Sequence, residues 1–297
     1  MATAAKTSAA KAPKKRKKEG MMKQVFKRTC QNKLALLGMI VMILLILLAI
    51  VSPWLAPYDV TEQDFDAIAM GPSAKHIFGT DYMGRDIFSR CLVGARYSLS
   101  FGLICACVTG VLGNALGVIV GYIGGTVDMV AMRIVDIITA IPGQLLAIII
   151  SSALGAGFVQ TIIAMSIGGI PMSARNSRAM CLRERQMEYL EAAYSINVPS
   201  GKIMFKHMLP NIVAPALVGT TMSIGNSIMG AAGLSFIGLG IQPPTPEWGA
   251  MLSNARNYVT QAPYMMIFPG LLIAIVVLAI NLFGDGLRDA MDPRLKK

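Results

Sequence analysis

Few side chains in this 297-residue chain could bind a metal or attack a substrate, and their spacing suits neither task. A helical zinc-protease site needs two histidines four residues apart with a glutamate between them. The only histidines, His76 and His207, lie far apart in sequence. A phosphate loop needs an early glycine and a closing Lys-Ser/Thr, so that backbone amides and the lysine cradle phosphate. Ser200-Gly201-Lys202-Ile203 has neither the earlier glycine nor the hydroxyl. The nucleophile turn G-x-S-x-G fails at its last position in GLSFI, Gly233–Ile237. Cys30, Cys91, Cys105, Cys107 and Cys181 are odd in number and scattered, which fits apolar packing better than a disulfide framework or a zinc site. No catalytic residue, metal or bound cofactor is therefore expected of this chain.

A polar stretch, EYLEAAYSINVPSGKIMFKHMLPNI, Glu188–Ile212, interrupts the apolar sequence. RERQMEYLEAAY, Arg183–Tyr194, is rich in helix formers. Met187, Leu190 and Tyr194 share a face at i, i+3, i+7 spacing, with Ala193 beside them. Asn197 tolerates left-handed φ and can end that helix where glycine usually stands. Pro199-Ser200 suits the start of a second helix, expected to stop near Pro210. Such an exposed helix fits a groove on another protein, or else lies as a solvated amphipathic linker at the lipid surface.

The elements around this stretch are apolar spans. Hydrophobic residues make up 54% of the chain and charged ones 14%, and mean hydropathy is +0.58. Soluble domains carry about 25% charged residues, so an all-α polytopic membrane protein is expected. Six spans are read at Leu34–Trp54, Ser98–Ile123, Ile134–Leu154, Phe158–Ser173, Ile212–Ile237 and Met265–Phe283. Much of the net charge of +11 sits in residues 1–33, where eleven basic residues face Glu19 alone. That tail is expected to be disordered, to touch anionic lipid and to fix topology, rather than to bind nucleic acid. The first span is too long for a signal peptide and is read as retained.

Basic clusters place both termini and the loop 175–211 in the cytoplasm, and the acidic segment 53–95 outside. The membrane domain is thus expected over 34–297. Asp136 is almost the only ionisable residue within a span, which argues against an ion-coupled carrier. Gly113, Gly117, Gly121 and Gly125 recur on one helical face, for close packing or for a moving pathway. Pro142 and Pro215 are expected to kink their spans, and Trp248 to anchor at the membrane surface. Gly79, Asp81, Gly84, Arg85 and Asp86 lie outside, either as a gate or receptor or as a plug whose charges satisfy one another.

These motifs resemble the inner-membrane permease subunits of ATP-binding-cassette importers. Their loop reads EAA, three residues, Gly, then a later Leu-Pro. Here Glu191-Ala192-Ala193 is followed by Asn197 and then Leu209-Pro210. FGTDYMGRDIFSR (Phe78–Arg90), GARYSLSFG (Gly94–Gly102), LSFIGLGIQPPTPEWGAML (Leu234–Leu252) and LFGDGLRDAMDPRLK (Leu282–Lys296) are similar to the C-type subunit of dipeptide/oligopeptide permeases. The resemblance runs from about Leu34 onward and departs at Asn197. It implies the type I importer permease fold, with a coupling helix carrying Glu188, Leu190, Glu191, Ala192 and Ala193. It also implies two cytoplasmic ATPase subunits that bind ATP and Mg, a second, B-type permease, an external substrate-binding protein, and import of di- or oligopeptides across the plasma membrane. Nickel, glutathione or another small solute is the alternative cargo, and a stand-alone channel or carrier the alternative class.

Overall fold

The computed structural model describes residues 21–291, and their regular structure is helical. Four helices are long and apolar enough to cross a bilayer: Lys33–Leu55, Ile87–Ile123, Ser200–Phe236 and Tyr264–Met291. Helix α1 (Met21–Gln31) packs against the last helix. Asn32 then caps α2 (Lys33–Leu55), its side chain accepting from Leu34 N–H at 3.0 Å. The tail expected to be disordered over residues 1–33 is thus helical from Met21 onward; residues 1–20 lie outside the described residues.

Helix α3 (Ile87–Ile123) begins eleven residues before the expected span because Asp86 caps it, accepting from Ser89 N–H at 2.7 Å. It runs through the bundle and touches α2, α6, α9 and α11. The expected third span is broken rather than kinked. Helices α4 (Gly125–Thr139) and α5 (Gly143–Leu154) meet at 81°. Pro142 cannot donate to an α-turn and itself leaves helical space at ψ 130°, so the two halves separate there. If this pair is one span, the total is five. The expected fourth span lies within α6 (Phe158–Arg185), which is long but too polar to pass the same measure. All six expected spans thus fall on helices, though only four, or five with the bent pair, pass that measure.

Helix α7 (Glu188–Ser195) is followed by the single turn α8 (Ser200–Lys202), a π-helical segment Ile203–Met208, and α9 (Leu209–Phe236). Helix α10 (Trp248–Ala255) packs on α9 and α11, and α11 (Tyr264–Met291) returns along α2. A core of Leu45, Ile87, Cys91, Ile228, Trp248 and Val276 joins α2, α3, α9, α10 and α11. The chain therefore has two ends. One, the cap end, holds the segment before α3 together with α10. The other, the loop end, holds α7 and the π segment.

Candidate functional site

At the loop end, α6, α7 and the root of α9 converge. The single helix expected over Arg183–Tyr194 is two helices, because Met187 is extended between α6 and α7. Leu190 is fully buried against Val118, Cys181, Ile203, Met208 and Ile212, and Ala193 and Leu209 pack at the edge of that cluster. Met187 and Tyr194, expected on the same face as Leu190, are 43% and 41% exposed. Of these three side chains Leu190 alone is buried, because a helix of about two turns presents only its middle to the cluster. Glu188, Glu191 and Ala192 are exposed on the outer face, beside Ile196 at 76% exposure. Neither carboxylate has a side-chain partner among the described residues.

Asn197 closes α7 at φ +53°. Val198 N–H donates to Ala193 O at 3.1 Å and Asn197 N–H to Tyr194 O at 3.0 Å, the paired bonds of a Schellman turn. Gly238 builds the same turn at the end of α9, with φ +82°. The second helix does not stop near Pro210. It widens into the π segment, where Leu209 N–H donates to Met204 O, and then continues as α9. The wider turn accommodates a proline that lacks a donor and crowds an ordinary α-turn. Exposed Pro210 lies at this root.

A polar clasp ties the three pieces together. Tyr189 Oη donates to the Glu184 carboxylate. Asn211 Nδ2 donates to Glu184 Oε1 at 2.8 Å, to Tyr189 Oη at 2.9 Å and to His207 O at 3.2 Å. Burial first, then the Glu184 hydrogen bond, pushes the Tyr189 phenol up to about 12, so at neutral pH it remains a protonated donor. Tyr122 Oη fixes the start of α8 by donating to Ser200 O at 2.6 Å.

Between α3, α5, α6 and α9 lies a cavity of about 400 Å³ with no ionisable Asp, Glu, Lys, Arg or His side chain in its lining. Asn114 is locked at its edge, accepting from Ser173 Oγ at 2.9 Å and Ser177 Oγ at 2.6 Å. Gln144, Asn176 and Asn226 line the cavity and are exposed, with no side-chain partner among the described residues. The α3 wall is held against α6 by Gly113, Gly117 and Gly121. A Cβ at Gly117 would strike the Ala174 carbonyl, so only glycine permits this approach. Gly125 does not share that face. It lies beyond the helix break at Gly124, starts α4, and has open space around it.

At the cap end the charges close on themselves. Asp81 Oδ1 accepts from Met83 N–H at 2.8 Å and Arg85 N–H at 3.0 Å, while Asp81 Oδ2 takes Arg85 Nε at 2.7 Å. Gly84 turns this loop at φ +77°, against the Asp64 backbone. Gly79, also left-handed, accepts from Ile87 N–H at 3.1 Å. Asp86 pairs with His76 Nδ1 at 2.9 Å, not with Arg85, so the expected mutual closure holds for Asp81 and Arg85 alone. Buried Arg90 donates to Val60 O at 2.6 Å. Trp248 is no surface anchor: it is fully buried and its Nε1 donates to Cys91 O at 3.0 Å.

Residues 113–297 match the family of binding-protein-dependent transport system inner membrane components. The chain belongs to that family. Residues 20–72 of the permease match the N-terminal TM domain of oligopeptide transport permease C, so the likeness starts earlier than Leu34. It is 43% identical, over 92% of its length and 90% of the relative's, to the dipeptide transport system permease protein DppC of Alkalihalophilus pseudofirmus. It is 46% identical, over the same shares, to the glutathione transport system permease protein GsiD of an Escherichia coli O1:K1 strain. A chain of the MetNI methionine ABC transporter, inward facing, shares its fold with a TM-score of 0.56 at 20% identity, covering 68% of the permease and 97% of that chain.

The permease thus brings Leu190, Ala193 and Leu209 into one cluster and leaves Glu188, Glu191 and Ala192 facing outward. Sequence reasoning missed the cavity amides and the clasp. It looked for ionisable groups within spans, whereas the informative side chains are neutral. Glu247 was missed too. It caps α10 through Gly249 and Ala250 N–H, both at 2.8 Å, and is 2% exposed.

Proposed function

We propose that this permease is one of two membrane subunits of an ATP-driven importer of di- and oligopeptides. The observation that carries the proposal is α7: a helix seated through Leu190 that presents Glu188 and Glu191, without a side-chain partner among the described residues, beside exposed Ala192 and Ile196. Such a surface suits a cleft on a cytoplasmic ATPase subunit, where the small alanine permits close approach and a carboxylate meets a basic group. In this reading the loop end and both termini are cytoplasmic, and the cap end faces the substrate-binding protein. Two ATPase subunits hold ATP and Mg, and a B-type permease completes the pathway. Motion of α7 passes through Leu190 and the Glu184–Tyr189–Asn211 clasp to α6 and α9, which bound the cavity.

Glutathione is the second cargo reading, favoured by the relatives named for it at 46% identity. The test is uptake into liposomes by the complete complex, with peptides and glutathione as separate cargoes. The proposal predicts ATP-dependent peptide uptake and none by the permease alone. Nucleotide-independent uptake by the isolated permease would instead indicate a channel or carrier.

A further inference from the structure

The cavity's lining has a chemistry that the coupling loop does not explain. Three carboxamides, Gln144, Asn176 and Asn226, reach it from α5, α6 and α9, and each offers a donor and an acceptor unused among the described residues. Met165, Met172 and Met180 line it as well, and Asp, Glu, Lys, Arg and His are absent from the lining. A carboxamide matches the donor and acceptor of a peptide bond, whereas thioethers adapt their shape to varied side chains. A volume of about 400 Å³ falls within the range of small-ligand sites, ~300–1,000 Å³.

We propose that this cavity is a charge-neutral transit site that holds cargo by its peptide main chain, through Gln144, Asn176 and Asn226, and tolerates any side-chain charge. The inference rests on the peptide-import reading and adds the means of recognition. Polar groups within a membrane domain are kept where they meet a partner or a pathway. A transit site must also bind weakly enough to release. Neutral amides satisfy both demands; a fixed charge would retain oppositely charged cargo and repel the rest.

The test uses the complete importer in liposomes, with its ATPase subunits and binding protein, and three probes: Ala-Ala-Ala, Ala-Glu-Ala and Ala-Lys-Ala. With the binding protein saturated, the unaltered complex is expected to turn over all three within about threefold of one another, because no charge in the cavity distinguishes them. Asn176→Asp and Asn226→Asp each shift the ratio of Ala-Lys-Ala to Ala-Glu-Ala turnover by ~10-fold, the scale of one added charge at partly screened distances. Asn226→Gln keeps the ratio near one. An unchanged ratio in both Asp variants would overturn the proposal. So would equal loss for all three probes with dissociation of the complex, which would make the amides contacts to the second permease. Absence of ATP-driven uptake of every probe by the unaltered complex would overturn the import reading itself, and this inference with it.

Discussion

At the cap end Asp81, Arg85, Asp86 and Arg90 are each paired within the chain, and three of the four are no more than 3% exposed. At the loop end Glu188 and Glu191 stand exposed on α7 without a side-chain partner among the described residues. The cap is built from charges that would be costly to leave alone in a buried place, since removing one partner strands the other. The loop is built from charges that water holds until another molecule replaces it. Changes at the cap should therefore act on stability, and changes at the loop on the link between ATP hydrolysis and uptake.

The largest effect is expected at Gly84→Val. A β-branched residue cannot hold φ +77° there, and its Cβ would strike the Asp64 backbone. The loss is about 3 kcal/mol or more, read as a lower unfolding temperature of the purified permease. Asp86→Ala removes the α3 cap and leaves buried His76 unpaired at Nδ1, costing about 2 kcal/mol in the same assay. In both variants, whatever complex survives keeps the ratio of ATP hydrolysed to peptide imported. A changed ratio would break the division between the two ends.

Asn211→Ala reverses the pattern. It removes three hydrogen bonds around Glu184 and Tyr189 at an exposed site, so unfolding moves little while uptake per ATP falls about fivefold. Smaller still, Asn197→Gly keeps the Schellman turn and changes stability by no more than about 1 kcal/mol, with uptake intact. A large loss of uptake would give the Asn197 side chain a role of its own in docking.

The smallest effect concerns pH. Lys75 lies 2.6 Å from Asp64 and holds its carboxyl below the ordinary 3.8. A lowered carboxylate pKa contributes stability that is present above the unfolded value and lost as pH falls through the folded one. The pair is solvent-exposed, so Lys75→Ala should alter unfolding only slightly at neutral pH and not at all once the pH is low enough to protonate Asp64.

The sequence made the loop legible because its signals are local. Helix formers precede Asn197, and a left-handed residue closes the turn whatever lies beyond it. The same locality explains the errors. Pro142 announces a disturbance, but an 81° break depends on how α5 packs against α6. Pro210 announces a stop, yet the π segment absorbs it because Ile203 and Met208 gain a buried cluster. Trp248 looks like a surface anchor until α10 folds inward and offers its indole the Cys91 carbonyl. Asn176 and Asn226 gain meaning only when α6 and α9 stand on the same side of one cavity.

The central claim is that the outer face of α7 is a mechanical contact and not a structural one. Glu191→Lys in the complete reconstituted complex tests it most directly, through the ratio of ATP hydrolysed to peptide imported. That ratio should rise about tenfold, since a like charge now meets the ATPase, while the permease inserts and unfolds as before. Import at the unaltered ratio, with normal expression, would contradict the docking of α7.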